Sequence, residues 1–164
     1  MNWEKEKRLG KDTILFIFFT VVWMGFIFFM SSQPGDSSSL LSGKVAAYIT
    51  TFFNKLFRSN PPQGLIDLIM EGLLVRKAAH FTEFAILGFL VLVTLKKLKI
   101  SRFPLISGLI CILYAVSDEF HQKFVPGRYP SFGDVMIDVS GAVFAILLCL
   151  IIIKIRDKGT CACN

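Results

Sequence analysis

Two short segments concentrate side chains that could perform acid–base chemistry or bind an anion. The first spaces Lys77, His80 and Glu83 three residues apart, and the second, Asp118–Gly141, combines several acids with Arg128. A histidine beside a carboxylate is a common general acid or base, because the partner fixes the imidazole tautomer. Lysine and arginine bind phosphate or carboxylate groups. The two segments therefore predict proton transfer, anion binding, or both.

The candidate residues fall into two sets by the chemistry that they offer. The catalytic set joins the histidine to carboxylates: His80, Glu83, Asp118 and Glu119. The ligand-binding set supplies basic, amide, hydroxyl and acidic groups: Lys77, Gln122, Arg128, Ser131, Asp134, Asp138 and Gln33. Side chains of the catalytic set are also of a type that metals accept. Their spacing is generic, however, so no metal and no cofactor is assigned.

The elements that carry these residues are long and apolar. Of the 164 residues, 54% are hydrophobic and only 18% are charged, whereas about a quarter are charged in a typical soluble domain. A membrane-spanning helix needs roughly 20 mainly apolar residues. Four segments qualify, the third only with its polar end included: about 13–30, 78–95, 103–122 and 135–153. The sequence predicts an all-α membrane protein with four transmembrane helices in one domain, residues 1–164.

The predicted orientation places both termini in the cytoplasm. Lysine and arginine concentrate in the N-terminal tail (four), the link Lys96–Arg102 (four) and the C-terminal tail (three). Four spans put these segments on one side, which the positive-inside rule makes cytoplasmic. The net charge of +6 then reflects contact with anionic membrane lipid. It gives no support to nucleic-acid binding.

Residues 31–77 lie between the first two spans and are predicted to face outward. Apolar residues recur there at three- and four-residue steps, which is typical of an amphipathic helix on the outer leaflet. This helix is expected to begin at Asp36 or Ser37 and to end at Asn60. A second short amphipathic helix, over residues 65–74, is expected to lead into the second span.

The unusual polar residues all lie on the outward halves of their spans. His80 and Glu83 open the second span, Asp118 and Glu119 close the third, and Asp138 opens the fourth. A charge facing lipid near the bilayer centre costs at least about 2.5–3.5 kcal/mol. We therefore expect these side chains to face one another in one outward pocket. The alternative is an ion-pair network that only holds the helices together, although desolvation makes such networks a weak source of stability.

Three blocks of sequence resemble the VanZ-like family. The first is K-A-A-H-F-T-E-F at Lys77–Phe84, and the other two follow each other within D-E-F-H-Q-K-F-V-P-G-R-Y-P-S-F-G-D-V-M-I-D-V-S-G at Asp118–Gly141. The triplet S-S-Q at Ser31–Gln33 accompanies them. The family pattern runs K-x-x-H-x-x-E-[YF], D-E-x-x-Q-x-x-x-P-G-R and S-x-x-D-x-x-x-[ND]-x-x-G. Phe84 stands where tyrosine is common in the family, and Asp138 stands where asparagine is frequent.

The resemblance implies a multi-pass protein of the bacterial cytoplasmic (inner) membrane. The family's founding member is linked with low-level resistance to teicoplanin, a glycopeptide that binds cell-wall precursors outside the membrane. The first hypothesis is therefore a cell-envelope protein whose outward pocket binds an anionic envelope or glycopeptide-related ligand, with teicoplanin-type antibiotic resistance as an outcome. The expected partners are membrane lipid and a lipid-linked cell-wall precursor or glycopeptide.

Two other functions stay open at this point. The first is a membrane-embedded enzyme that acts on a lipid-linked or cell-wall precursor, with His80 as the acid or base. No G-x-S-x-G, H-E-x-x-H or P-loop motif supports a particular reaction. The second is a structural or transport role, in which Glu83 and Asp138 would titrate within the membrane. The inner halves of the spans lack polar residues, which argues against a transport path.

The predicted orientation can be tested by cysteine labelling in intact cells. A membrane-impermeant thiol reagent should reach a cysteine at Ser39 and should not reach one at Lys158, because the two positions fall on opposite sides in the four-span topology. Labelling of both positions from outside would eliminate that topology.

Overall fold

The structure, a computed structural model, describes residues 10–57 and 73–161, and the regular structure in these ranges is all helical. In these ranges the chain forms α1 (Lys11–Ser31), α2 (Gly35–Phe57), α3 (Leu73–Lys97), α4 (Phe103–Gln122) and α5 (Phe132–Cys161). By length and composition, α1, α3, α4 and α5 are able to cross a membrane. The predicted class, an all-α protein with four membrane-spanning helices, is confirmed.

The helix limits follow the predicted spans closely, with one extension. Helix α4 covers the predicted range 103–122, so its polar end is helical and presents Asp118 and Gln122 on its last turns. Helix α5 continues to Cys161, eight residues beyond the predicted end at 153. Its extra turns contain no proline, and their first glycine is Gly159, so no residue interrupts the helix early. Most of the second amphipathic helix predicted for 65–74 lies outside the described residues.

Helix α3 is the centre of the bundle. It contacts each of the other four described helices. Its buried side chains Phe84, Leu87 and Val91 form the core together with Ile27 of α1 and Cys111 of α4. Lipid tails are as apolar as these side chains, so association of the helices depends on close packing and interhelical hydrogen bonds more than on the hydrophobic effect.

Helices α3 and α5 approach each other closely through glycine. A Cβ atom at Gly141 would lie 2.1 Å from the carbonyl oxygen of Phe81, and one at Gly88 would lie 2.7 Å from that of Ala142. Neither position therefore has room for a side chain while the backbones keep this separation. Small residues serve the same purpose in many membrane-helix interfaces.

Three polar contacts hold α1 against the bundle. The hydroxyls of Thr20 and Thr94 are 3.0 Å apart, and the Trp23 indole donates a 2.9 Å hydrogen bond to the backbone carbonyl of Glu83. The Tyr114 hydroxyl donates a 2.6 Å bond to the carbonyl of Met24. In membranes such interhelical bonds contribute about 0.6–2 kcal/mol each, and here they tie α1 to both α3 and α4.

Helix α2 packs on α3 through its small residues and leaves large apolar side chains outside. Ser42 and Ala46 are buried, whereas Tyr48 and Phe52 are exposed. An amphipathic helix that covers a bundle and offers its apolar side chains to lipid has this pattern. The amphipathic helix predicted between the first two spans is therefore present, beginning at Gly35.

Substitution of Gly141 tests the α3–α5 contact. Gly141→Ala should lower the melting temperature of the detergent-extracted protein, because overpacking costs about 1–3 kcal/mol. Gly108→Ala is the matched control, since a Cβ atom there meets nothing within 4 Å; alanine should be neutral or slightly stabilising. Equal melting temperatures for the two variants would contradict the close approach of α3 and α5.

Candidate functional site

The predicted polar residues gather at one end of the bundle. This end is formed by the last turns of α1 and α4, the first half of α3, the turn over residues 123–131 and the start of α5. Five of the candidate side chains are buried there: His80, Asp118, Glu119, Gln122 and Asp138. Asp138 is completely enclosed, with an exposed fraction of 0%. The site is therefore largely closed to solvent, and each of its charges needs a partner.

Asp118 joins α4 to the end of α1. Its Oδ2 atom accepts a 2.8 Å hydrogen bond from the Ser31 hydroxyl and a 2.9 Å bond from the Gln122 amide. The same amide lies 3.4 Å from the Ser31 hydroxyl. Asp118 and Gln122 are one helical turn apart, so they present their polar groups on the same face. This contact explains why a serine at the end of α1 accompanies the D-E-x-x-Q block.

A second contact between the same helices involves His121, which is not among the candidate site residues. Its Nε2 atom lies 3.1 Å from the Ser32 hydroxyl, and its ring packs 4.3 Å from the Phe28 ring. His121 thus faces α1 outside the buried cluster. In the sequence, the adjacent serines Ser31 and Ser32 were the only indication of these two contacts, because Ser31 binds Asp118 and Ser32 contacts His121.

Arg128 caps the C-terminus of α1. Its Nε donates a 3.0 Å hydrogen bond to the Gln33 carbonyl, and its Nη2 donates a 3.1 Å bond to the Met30 carbonyl. These carbonyls belong to the group that a helix end leaves without partners. The sequence predicted a ligand-binding role for Arg128 and for Gln33. The structure gives the arginine a structural role as well, while Gln33 contributes its backbone carbonyl.

The turn that carries Arg128 is fixed against the start of α2. The amide of Gly35 donates a 3.0 Å hydrogen bond to the carbonyl of Pro126, and Gly127 adopts a left-handed φ of 73°. A side chain at Gly35 would collide with the backbone of Gly127. The two turns therefore meet backbone to backbone, which holds the guanidinium at the end of α1.

Glu119 holds the beginning of α5. Its Oε1 accepts a short hydrogen bond from the backbone amide of Ser131, whose hydroxyl in turn accepts a 3.2 Å bond from the Gly133 amide. Ser131 is thus the N-cap of α5. Glu119 was predicted as a catalytic residue and Ser131 as a ligand-binding residue. The contacts of both residues are those of a helix start, and neither lines the cavity described below.

His80 and Asp138 form a buried pair between α3 and α5. Nδ1 of His80 lies 3.3 Å from Oδ1 of Asp138. Both atoms are buried, and neither has another partner among the described residues. A carboxylate on one ring nitrogen is the usual means of orienting a functional histidine.

A cavity of about 210 Å³ opens beside this pair, between α1, α2 and α3. We call it the polar cavity, after the polar residues in its wall: Ser31, Ser42, Arg76, His80, Glu83 and Arg128. Met30, Val45 and Val75 supply its apolar wall. Burial lowers the pKa of Arg128, and the positive charge of Arg76 lowers it further. An anion in the cavity would relieve this repulsion, because arginine remains charged in proteins.

The candidate residues thus divide between the cavity and its supports. His80, Glu83 and Arg128 line the polar cavity, and Asp118, Gln122 and Asp138 lie buried behind it. Lys77 is exposed and Asp134 is half-buried, and neither lines the cavity. Two cavity residues, Ser42 and Val45, come from α2 and were not predicted. Their positions depend on how α2 packs, for which the sequence carries no local signal.

Comparison with known protein families identifies the family of the chain. A family model described as VanZ/LLP1 matches residues 16–153. The chain belongs to the VanZ/LLP1 family. Neither the curated proteins nor the solved structures gave a match. The matched range contains all three motif blocks, so in this VanZ/LLP1 protein the motif residues are the ones that build the polar end of the bundle.

Removal of Arg128 tests its capping role. Arg128→Ala should lower the stability of this VanZ/LLP1 protein by about 2 kcal/mol or more, because a hydrogen bond from a charged group contributes about 1.5–3 kcal/mol. Lys123→Ala is the control, since Lys123 is an exposed cation in the same turn. Thermal melting in detergent is the measurement. A melting temperature for Arg128→Ala equal to that of the control would exclude the capping role.

Proposed function

We propose that this VanZ/LLP1 membrane protein binds the anionic group of a cell-envelope ligand in the polar cavity. The observation that carries the proposal is the pair of arginines, Arg76 and Arg128, in the wall of one cavity at the polar end of the bundle. A guanidinium is suited to phosphate and carboxylate, because its planar array of donors matches their oxygens. In the predicted orientation the cavity faces the outer side of the membrane.

The size and walls of the cavity narrow the class of ligand. Its volume of about 210 Å³ is below the 300–1,000 Å³ that is typical of sites enclosing a whole drug-sized molecule. A phosphate or carboxylate headgroup fits this space, and a complete glycopeptide does not. The apolar side chains of Met30, Val45 and Val75 suit the first carbons of a lipid chain. We therefore favour a lipid-linked cell-wall precursor as the ligand, with teicoplanin resistance as a consequence of holding that precursor.

A second candidate function is catalysis on the same precursor. It is favoured by His80, which lines the cavity while its Nδ1 lies 3.3 Å from the buried carboxylate of Asp138. A histidine oriented in this way is equipped to act as general acid or base. Glu83, also in the cavity wall, would be the second titratable group within reach of a bound ligand.

The binding proposal is tested by filling the cavity without changing its charges. Ala79→Phe places a ring at a lining position and should weaken binding of a lipid-linked cell-wall precursor by about tenfold or more, which corresponds to about 1.4 kcal/mol. Ala78→Phe is the matched control, because Ala78 is the preceding residue of α3 and does not line the cavity. Binding is measured with purified protein in lipid nanodiscs.

Equal affinities for wild type, Ala79→Phe and Ala78→Phe would refute the proposed site. The two functions are separated by comparing lipids and peptidoglycan from cells that carry wild type, His80→Ala or no protein. A chemically altered product that depends on His80 would select the enzyme, whereas an unaltered precursor bound by the protein would select the binding function. Teicoplanin susceptibility of the same cells tests the consequence for resistance.

A further inference from the structure

Three buried side chains from three different helices converge behind the polar cavity. His80 of α3, Asp118 of α4 and Asp138 of α5 each offer one nitrogen or carboxylate oxygen, and these atoms all lie within 4.8 Å of one another. Their exposed fractions are 8%, 3% and 0%. Packing of the three helices thus brings potential ligands together that are 20 to 58 residues apart in the sequence.

The polar atoms of this cluster are incompletely satisfied. Asp118 Oδ1 and Asp138 Oδ2 are buried without a hydrogen-bond partner among the described residues, and His80 Nδ1 and Asp138 Oδ1 have only each other, 3.3 Å apart. Ser31 and Gln122 both donate to the other oxygen of Asp118, Oδ2. A buried polar group without a partner costs about 1–3 kcal/mol, and a charged group costs more. A cation between the three side chains would take one of these atoms from each residue as a ligand.

We propose that His80, Asp118 and Asp138 bind a divalent transition-metal ion of the Zn²⁺ type. One imidazole nitrogen and two carboxylates form a donor set that zinc accepts, with ligand bonds of about 2.0–2.2 Å. Two such ligands on a tetrahedral ion stand about 3.3–3.6 Å apart. The distance of 3.3 Å from His80 Nδ1 to Asp138 Oδ1 falls in this range. Small side-chain movements would bring the Asp118 ligand atom, which lies within 4.8 Å of the other two, to the same separation.

The electrostatic surroundings also favour a cation at this position. The two carboxylates of the cluster balance a divalent ion, whereas a proton on His80 balances only one of them. Glu83, Glu119 and Asp134 lie near enough to act electrostatically on His80 or Asp138. The nearby cations, Arg76 and Arg128, line the cavity, and Arg128 is engaged with the carbonyls of α1.

The metal would have a position free for a further ligand. Three protein ligands on zinc leave the fourth position for water or substrate. His80 belongs both to the cluster and to the cavity wall, so the ion would lie beside the cavity. The metal site does not depend on the identity of the cavity ligand, and measurements of metal binding are sufficient to test it.

The test uses full-length protein, purified without a polyhistidine tag and without chelator, in detergent. After equilibration with buffered Zn²⁺, we expect about one tightly bound ion per chain, as for a site with three protein ligands. Loss of an outer-shell partner alone costs about 10–100-fold in metal affinity. Asp138→Asn and His80→Gln each remove a ligand and should therefore weaken Zn²⁺ binding by at least about 100-fold.

The control is Ser140→Ala, which removes an exposed hydroxyl two residues after Asp138 on the same helix and should leave Zn²⁺ affinity unchanged. Circular dichroism and size-exclusion chromatography establish that each variant is folded. If a variant does not fold, the wild type is tested instead with Co²⁺, whose visible absorption is intense when the ion is coordinated tetrahedrally. A folded wild type that binds no Zn²⁺, an affinity unchanged in Asp138→Asn, or the absence of the Co²⁺ band would overturn the proposal. Precursor binding in nanodiscs is measured separately, so failure of one proposal is distinguishable from failure of the other.

Discussion

The close approach of α3 and α5 determines where the polar residues of this bundle stand. Gly141 rests on the backbone carbonyl of Phe81, the residue after His80, and Asp138 precedes Gly141 by nearly one turn. This contact therefore sets the height at which the Asp138 carboxylate meets the His80 ring. A side chain at Gly141 would separate the two helices and with them the two groups. The glycine of the motif thus controls register, although it takes no part in chemistry.

The contacts divide the residues of the family motifs into those that hold the helices together and those that remain available for the proposed function. Ser31, Asp118 and Gln122 hold the ends of α1 and α4 together, while Glu119 and Ser131 start α5. These bonds satisfy polar groups that would otherwise be unpaired in a largely apolar bundle. The polar side chains without such a structural bond are few, and they face either the polar cavity or one another. The proposed binding of an anion and of a metal ion rests on that remainder and not on the whole motif.

The spans were predictable because continuous apolar runs of sufficient length have few alternatives. The gathering of polar groups at one end followed from the cost of exposing charge to lipid. The positions of the individual side chains within that end could not be predicted from the sequence. Lys77, His80 and Glu83 are three apart, and at about 100° per residue they spread over roughly 120° of the helix, so Lys77 is exposed while His80 is buried. The capping role of Arg128 and the contribution of α2 depend on tertiary packing, which no local pattern encodes.

The hydrogen bond between Trp23 and the backbone of Glu83 gives the polar end an internal optical reporter. The chain contains one other tryptophan, Trp3, so a Trp3→Phe form would emit from Trp23 alone. Indole emission responds to the strength of its hydrogen bond and to nearby charge. Because Glu83 lines the cavity, a bound anion or a shift of α3 would change the colour of that emission. Occupancy of the polar end can thus be followed in real time, without a label and in a native lipid environment.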